Sequence, residues 1–195
     1  SPSLSRLAAV VPAVEARLSS SISSRCCAVL KAQVPGVAKA YRLTNRPAPA
    51  APMPYVAEAL APLREDLLTG PAAARFLASQ QQQQDHEKTR RRLAAAVAAA
   101  ASAQFVASAT ELLDVQARTD SSLRRLQTIR GSSSGSTAAA GMSDFEKMQL
   151  QLLLDAKEML RCYEQEFALG RQEEGVQALY GFIAQQMQQQ QQLSR

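Results

Sequence analysis

The chain has 195 residues, and 46% of them are apolar, which is enough to build a hydrophobic core. Aromatic residues make up only 5% and tryptophan is absent, a composition that argues against an immunoglobulin-like sandwich and favours helices packed through Leu and Ala. One histidine and three cysteines leave few groups that titrate near neutral pH or bind soft metals. We therefore expect no enzyme, no cofactor and no metal site, with function carried by surfaces.

The net charge of +5 is unevenly distributed along the chain. Residues 1–50 contain seven Lys and Arg and one acidic residue, whereas residues 143–175 contain eight Asp and Glu and four Lys and Arg. A basic segment can bind anionic lipid or nucleic acid. From Arg6 to Lys39, however, the cations are spread singly and no aromatic residues lie between them to stack on bases, which favours solvated helix faces.

The first predicted element is a long amphipathic helix. Apolar residues recur every three or four positions from Leu7 to Val29, which places them on one helix face. Pro12 lacks an amide hydrogen, so the regular part of the helix is expected to begin there or to kink there. The breaker pair Pro35 and Gly36 is expected to end the helix.

A proline-rich stretch follows, with four prolines within eight residues: Pro47, Pro49, Pro52 and Pro54. Proline fixes its own φ and moves the preceding residue out of the α region, so residues 41–54 are predicted to form an extended strap. Four side chains are expected to anchor this strap on a helical body, so that it is not a free tether: Tyr41, Leu43, Met53 and Tyr55.

Beyond the strap, helical spacing resumes from Val56 to Leu67. Residues 88–129 contain neither Gly nor Pro, which predicts a helical rod of roughly forty residues. Residues 131–142 are rich in Gly and Ser and are predicted to be a flexible linker.

The last third of the chain predicts two more helices. Ser143 and Glu146 have the spacing of a capping box, so a helix is expected to start there. Its apolar arc is wide enough to predict burial against more than one partner helix, and Gly170 is expected to end it. A final helix is predicted from Val176 to Met187, fading into a glutamine run.

The sequence contains no recognisable catalytic or metal-binding constellation. His86 has no second His or Cys nearby to complete a metal site. The acidic pairs Glu65–Asp66 and Glu173–Glu174 are sequence neighbours, which point apart on a helix and cannot converge as an acid–base pair. The glycines fit neither of the common phosphate-binding loop patterns.

Two separated blocks of sequence carry specific motifs: Tyr41-Arg42, Thr44-Asn45-Arg46-Pro47, Pro54-Tyr55-Val56, Leu123-Arg124-Arg125-Leu126, Gly141-Met142-Ser143-Asp144 and Gln149-Leu150-Gln151-Leu152. In these motifs and their order, the chain resembles the C-terminal region of the second subunit of the conserved oligomeric Golgi complex. The resemblance runs from about Val34 to Gly170, whereas residues 1–33 match only in helical character. It departs at the glutamine tract from Gln80, at the long Ala-rich stretch and at the glutamine tail from Gln185.

This resemblance implies a subunit of a vesicle-tethering complex of the helical-rod class, peripheral on the cytosolic face of the Golgi membrane. It implies a role in intra-Golgi retrograde transport and Golgi organisation. The implied partners are the other subunits of the complex, with vesicle-fusion (SNARE) and Rab proteins as further candidates and no nucleic acid. Membrane association would come through the complex.

The expected fold is all-α, an elongated antiparallel helical bundle of the tethering-complex helical-rod type. Residues 1–195 are interpreted as the C-terminal helical-bundle region of a larger subunit. Five residues in and around the strap form the candidate site, where they either fix two helices together or contact a partner protein: Tyr41, Arg42, Asn45, Pro47 and Tyr55. The alternative function is a basic helical module that binds an anionic membrane surface or nucleic acid directly.

Overall fold

The computed structural model describes residues 2–42, 46–69, 83–129 and 142–193. In these ranges the secondary structure consists of six α-helices and one π-helical turn, Glu65–Thr69, that continues the third helix. The helices are α1 (Pro2–Gln33), α2 (Gly36–Arg42), α3 (Tyr55–Arg64), α4 (Gln83–Ile129), α5 (Asp144–Glu166) and α6 (Glu174–Leu193). The described residues contain no strand, and the all-α prediction is confirmed.

Pairs of side chains in contact show that α1, α4 and α6 run in one direction. Glu15 of α1 pairs with Arg92 of α4, and the Cys27 thiol, further along α1, donates to the carbonyl of Ala100. Along α4 and α6, Arg91 pairs with Glu173 and Phe105 packs edge-on against Phe182, with ring centroids 5.7 Å apart.

The helices α3 and α5 run in the opposite direction. Near the C-terminal end of α5, Glu164 accepts a hydrogen bond from Tyr180 of α6. Near the N-terminal end of α5, Gln149 donates to Gln186, which lies later in α6. The α3 residues Tyr55 and Arg64 contact successively later residues of α5, so these two helices are parallel to each other. Apart from the short α2, the helices therefore alternate in direction along the chain, in the order α1, α3, α4, α5 and α6. This confirms the antiparallel bundle.

From Val10 onward, the part of α1 whose side chains the structure describes, the apolar stripe is exposed at first and reaches full burial at Ile22. The helix does not begin at Pro12, which lies inside it. Ile22, Cys26 and Leu30 are fully buried, but three valines before them are more than half exposed: Val10 (54%), Val11 (54%) and Val14 (59%). The reason is that the first turns of α4, residues 83–92, lie beside this part of α1 and contain no apolar side chain.

The long helix α4 packs between α1 and α6 through small residues. Its buried apolar residues within the described part are Leu93, Ala94, Val97, Ala98, Ala101, Phe105, Ala109 and Leu113, and two polar residues, Ser102 and Gln116, are buried with them. At Gly175 of α6, an added Cβ would lie 2.5 Å from the carbonyl carbon of Ala98, so the two backbones touch there. Residues 84–122 of α4 are also long and apolar enough to cross a membrane by length and composition alone. Burial of one face in the bundle accounts for this composition, because a core helix needs the same residues.

The ends of α5 are set by local hydrogen bonds. The predicted capping box is present: the Ser143 hydroxyl accepts from the Glu146 amide at 3.2 Å, and the Glu146 carboxylate accepts from the Ser143 amide at 2.7 Å. The helix ends at Glu166, earlier than the predicted Gly170, because Ala168 adopts a φ of 52° and lets the Leu169 amide donate back to the Tyr163 carbonyl. Of the predicted linker at residues 131–142, only Met142 lies within the described residues, and it is exposed.

Candidate functional site on the proline-rich segment and α5

The structure divides the predicted strap into two parts. The sequence predicts an extended segment from Tyr41, whereas Tyr41 and Arg42 form the last turn of α2. Residues 46–53 have no regular helix or strand, as the prolines require, and α3 starts directly after Pro54. Asn45 lies outside the described residues.

A buried network of hydrogen bonds holds this segment on α5. The Tyr41 hydroxyl donates to Oε1 of Gln151 at 2.6 Å. The Gln151 amide nitrogen donates to the carbonyl of Ala51 at 3.0 Å and to Oδ1 of Asp155 at 2.9 Å. Gln151 therefore bridges the end of α2, the proline-rich segment and the carboxylate one turn along its own helix.

Asp155 is the centre of this network, and its side chain is fully buried. Its Oδ2 accepts a hydrogen bond from the Tyr55 hydroxyl at 2.6 Å, and its Oδ1 accepts one from the Met53 amide at 2.7 Å. With the bond from Gln151, three donors from three parts of the chain converge on one carboxylate. We call these residues the Asp155 network: Tyr41, Ala51, Met53, Tyr55, Gln151 and Asp155.

The charge state of the network follows from its burial. Burial raises the pKa of Asp155, although the hydrogen bonds from Tyr55, Met53 and Gln151 act in the opposite direction. Burial also raises the pKa of Tyr55 and of Tyr41, and the nearby Asp155 carboxylate adds to both shifts. The two phenols therefore remain protonated hydrogen-bond donors.

The five predicted site residues have different environments. Tyr41 and Tyr55 are buried members of the Asp155 network, whereas Arg42 and Pro47 are exposed. Sequence reasoning missed the two acceptors on α5, Gln151 and Asp155. The available signal was two polar residues four positions apart within an otherwise apolar arc of the helix.

A second set of polar contacts joins the other end of α3 to α5. Arg64 makes a two-point contact with Glu166, at 2.6 Å from Nε and 2.9 Å from Nη2, and its Nη2 lies 3.0 Å from the Cys162 sulfur. Burial raises the pKa of Cys162 to about 12 and that of Cys26 to about 11. Both groups therefore remain neutral thiols, so they are not activated nucleophiles.

The Arg64–Glu166 pair should make stability sensitive to acid. Arg64 holds the pKa of Glu166 below its ordinary value, so this carboxylate stabilises the fold above its unfolded pKa, and that contribution disappears as the pH falls through the folded pKa. We expect Glu166→Gln to lower the free energy of unfolding by about 1 kcal/mol at neutral pH and by much less near pH 3. Urea unfolding at both pH values measures this difference. The matched control is Glu111→Gln, at an exposed position of α4. An equal loss for Glu166→Gln at both pH values would contradict the prediction.

Several surface arginines are neutralised by ion pairs across helices. Arg25 of α1 pairs with Glu65 and Asp66 after α3, and two members of the Arg90–Arg92 triplet pair with Glu173 of α6 and Glu15 of α1. The third, Arg90, pairs with Glu87 within α4. The basic triplet therefore contributes to helix packing and is not a free cationic patch.

The described residues contain no group of three or more His, Cys, Asp or Glu that could hold a metal ion. Their buried polar groups bind mainly one another, in arrangements that fix one helix on the next. The described residues therefore define an all-helical bundle in which polar side chains join one helix to the next.

Comparison with known protein families identifies the family of this chain. A family model described as COG complex component, COG2, C-terminal, matches residues 1–156 of the 195. The chain belongs to this family, whose members are noncatalytic components of the Golgi-associated COG complex. No solved structure matches the chain.

The match extends beyond the range of the recognisable motifs on the N-terminal side, and on the C-terminal side it stops at residue 156, short of the expected Gly170. It includes residues 1–33, which share no sequence motif with the family beyond their helical character. It also includes the glutamine tract and the Ala-rich part of α4. It ends just after Asp155, so the Asp155 network lies within the matched region, whereas α6 lies beyond it.

Proposed function

We propose that this chain is a noncatalytic segment of a Golgi tethering complex that supports intra-Golgi retrograde transport and Golgi organisation through protein–protein contacts. The family match over residues 1–156 carries the proposal. The structure supports it because the Asp155 network and the Arg64–Glu166 pair use buried polar groups to hold helices together. A stiff helical segment of this kind can keep bound proteins at a set separation.

The proposed partners are the other subunits of the complex, with SNARE and Rab proteins as further ones. Residues 1–195 would form the C-terminal helical-bundle region of the subunit, with the proline-rich strap at 41–54 and a linker at 131–142. The complex would place the chain on the cytosolic face of the Golgi membrane as a peripheral component, without direct insertion.

Direct binding to an anionic membrane or nucleic acid is the competing function. The exposed cations Lys31, Lys39, Arg42 and Arg46 would supply the charge for it. The interhelical ion pairs of Arg25, Arg91 and Arg92 weigh against it, because these groups already neutralise carboxylates of the same chain.

The test uses the complete subunit that contains this chain, carrying an affinity tag and expressed as the only copy in cells. We expect the other complex subunits to co-purify with it, and we expect Golgi glycosylation enzymes to lose their normal position when residues 1–195 are deleted. Failure to recover the other subunits, or unchanged enzyme position after the deletion, would contradict the proposal.

A flotation assay separates the competing function. The chain is mixed with vesicles of neutral lipid alone or with added anionic lipid, at increasing salt. We expect little flotation with either vesicle. Strong flotation with anionic vesicles that disappears steeply with salt would support direct membrane binding in place of tethering through the complex.

A further inference from the structure

A polar cleft opens between α4, α5 and α6, at the end of the bundle away from the Arg64–Glu166 pair. Its volume is about 350 Å³. The lining residues are Thr110, Leu113, Asp114, Ala117, Phe145, Gln149, Gln185, Gln186 and Gln189. The apolar members form the walls, and the remaining side chains supply hydrogen-bonding groups. A cleft between helices with a few convergent polar groups is a common form of binding site.

Gln149, which lines this cleft, has a buried hydrogen-bond acceptor without a partner. Its side chain is fully buried, and its amide nitrogen donates to Oε1 of Gln186 at 2.9 Å and to Oε1 of Gln189 at 3.4 Å. Within the part of the chain that the structure describes, its own carbonyl oxygen Oε1 has no hydrogen-bond partner. A buried acceptor without a donor costs free energy, and a donor entering the cleft would recover it.

The electrostatics of the cleft favour a cationic donor. Asp114 lies at its rim, is exposed, and makes no ion pair among residues 2–42, 46–69, 83–129 and 142–193. A carboxylate at the rim and a buried amide oxygen are therefore two acceptors available to a cation at this cleft.

A neighbouring depression extends the same surface along α4. It is lined by Ala107, Thr110, Glu111, Asp114, Val115 and Arg118, so it shares Thr110 and Asp114 with the cleft. Val115 is 53% exposed and provides an apolar contact beside Glu111 and Asp114. These two carboxylates outnumber the one cation of the depression, Arg118. This combination matches a basic amphipathic helix, which would place an apolar side chain on Val115 and a cation in the cleft.

From these observations we infer that the cleft binds a lysine or arginine side chain presented by a helix of another subunit of the complex. The inference rests on the proposed function, because it needs a partner that is held in the assembly. The cation pairs with the Asp114 carboxylate at the rim, and a shift of the buried Gln149 side chain lets its Oε1 accept a hydrogen bond from the same cation. The α4 surface from Ala107 to Arg118 supports the rest of the partner helix.

Photo-crosslinking in the assembled complex identifies the occupant. The crosslinking amino acid p-benzoylphenylalanine is placed at Val115 of the tagged complete subunit, and adducts are mapped by mass spectrometry. The same amino acid at Val14, an equally exposed valine of α1, is the control. We expect the Val115 position, and not the Val14 position, to capture a segment of another subunit with a Lys or Arg within one helical turn. Adducts only with a second copy of this chain, or with a segment lacking Lys and Arg, would overturn the inference.

Charge reversal gives an independent test. We expect Asp114→Lys to weaken retention of the captured subunit about tenfold or more in salt washes of the purified complex, because the partner cation then meets a like charge. Glu58→Lys makes the same charge change on an exposed position of α3 and should leave retention unchanged. Reversal of the captured Lys or Arg to Glu should restore binding to the Asp114→Lys subunit. Equal retention of the Asp114→Lys and Glu58→Lys subunits would overturn the inference.

The two proposals fail in different ways in these experiments. If the wild-type subunit recovers no other subunit, the proposed function itself is wrong. If the wild-type complex assembles and Asp114→Lys behaves like Glu58→Lys, tethering stands and only the cleft assignment is rejected. Thermal unfolding of each variant chain shows whether a loss of binding comes from misfolding.

Discussion

Replacing Asp155 by alanine is expected to lower the free energy of unfolding by about 3 kcal/mol, because three buried donors would lose their acceptor together. These donors are the Met53 amide, the Tyr55 hydroxyl and the Gln151 side-chain amide. Each belongs to a different part of the chain, so the proline-rich segment and the first turn of α3 would both lose polar contacts to α5. Urea unfolding followed by circular dichroism measures the loss.

Asp155→Asn is the matched variant, because it keeps an oxygen acceptor and the side-chain volume. Its loss should be about 1 kcal/mol, since the Tyr55 hydroxyl can rotate to accept from the new amide. An alanine variant as stable as the asparagine variant would show that the converging donors find water or other partners, and the structural role of the network would be wrong.

The asparagine variant also has an expected pH dependence. Burial raises the pKa of Asp155 in the fold, so the folded state binds this proton more tightly than the unfolded state. The contribution of Asp155 to stability is therefore greatest at low pH and decreases as the pH rises from the unfolded pKa through the folded pKa. The deficit of Asp155→Asn relative to the parent chain should shrink over that range, opposite in sign to the Glu166→Gln deficit, which grows as the pH rises.

The second large effect is expected at Gly175, where alanine should lower the free energy of unfolding by about 2 kcal/mol. An added Cβ would lie 2.5 Å from the carbonyl carbon and 2.6 Å from the carbonyl oxygen of Ala98, and backbone atoms cannot rotate away as a side chain can. The methyl group would push α6 away from α4 at this contact.

Gly181 provides the control in the same helix. It is exposed, and an added Cβ would meet no atom within 4 Å. Glycine in a helix interior is less favourable than alanine by about 1 kcal/mol, so Gly181→Ala should raise the free energy of unfolding. Opposite signs for the two substitutions in thermal or urea unfolding would establish the close approach of α4 and α6. Stabilisation by both would show that the helices are further apart than the structure has them.

The strap illustrates how far sequence reasoning reaches for the candidate site. Four prolines dictate a non-helical backbone, and the two tyrosines at its ends are recognisable as anchors because an amphipathic aromatic ring needs a partner for its hydroxyl when buried. The same reasoning extended the strap to Tyr41 and Arg42, which the structure places in α2. No proline lies close enough to these two residues to break a helix there.

The sequence by itself determined the all-helical class, the end of α1, the positions of α4 and α5, and the capping box at Ser143. These features depend on periodicity and on hydrogen bonds between residues a few positions apart. Only the tertiary structure decided that Asp155 accepts from Met53 and Tyr55, about a hundred positions earlier, and that the valines at the start of α1 stay exposed. It also decided which glycine is required, since Gly175 and Gly181 look alike in the sequence and differ only in the helix that lies beside them. Contacts between distant segments depend on the summed packing of all the helices, and no local pattern of residues encodes that sum.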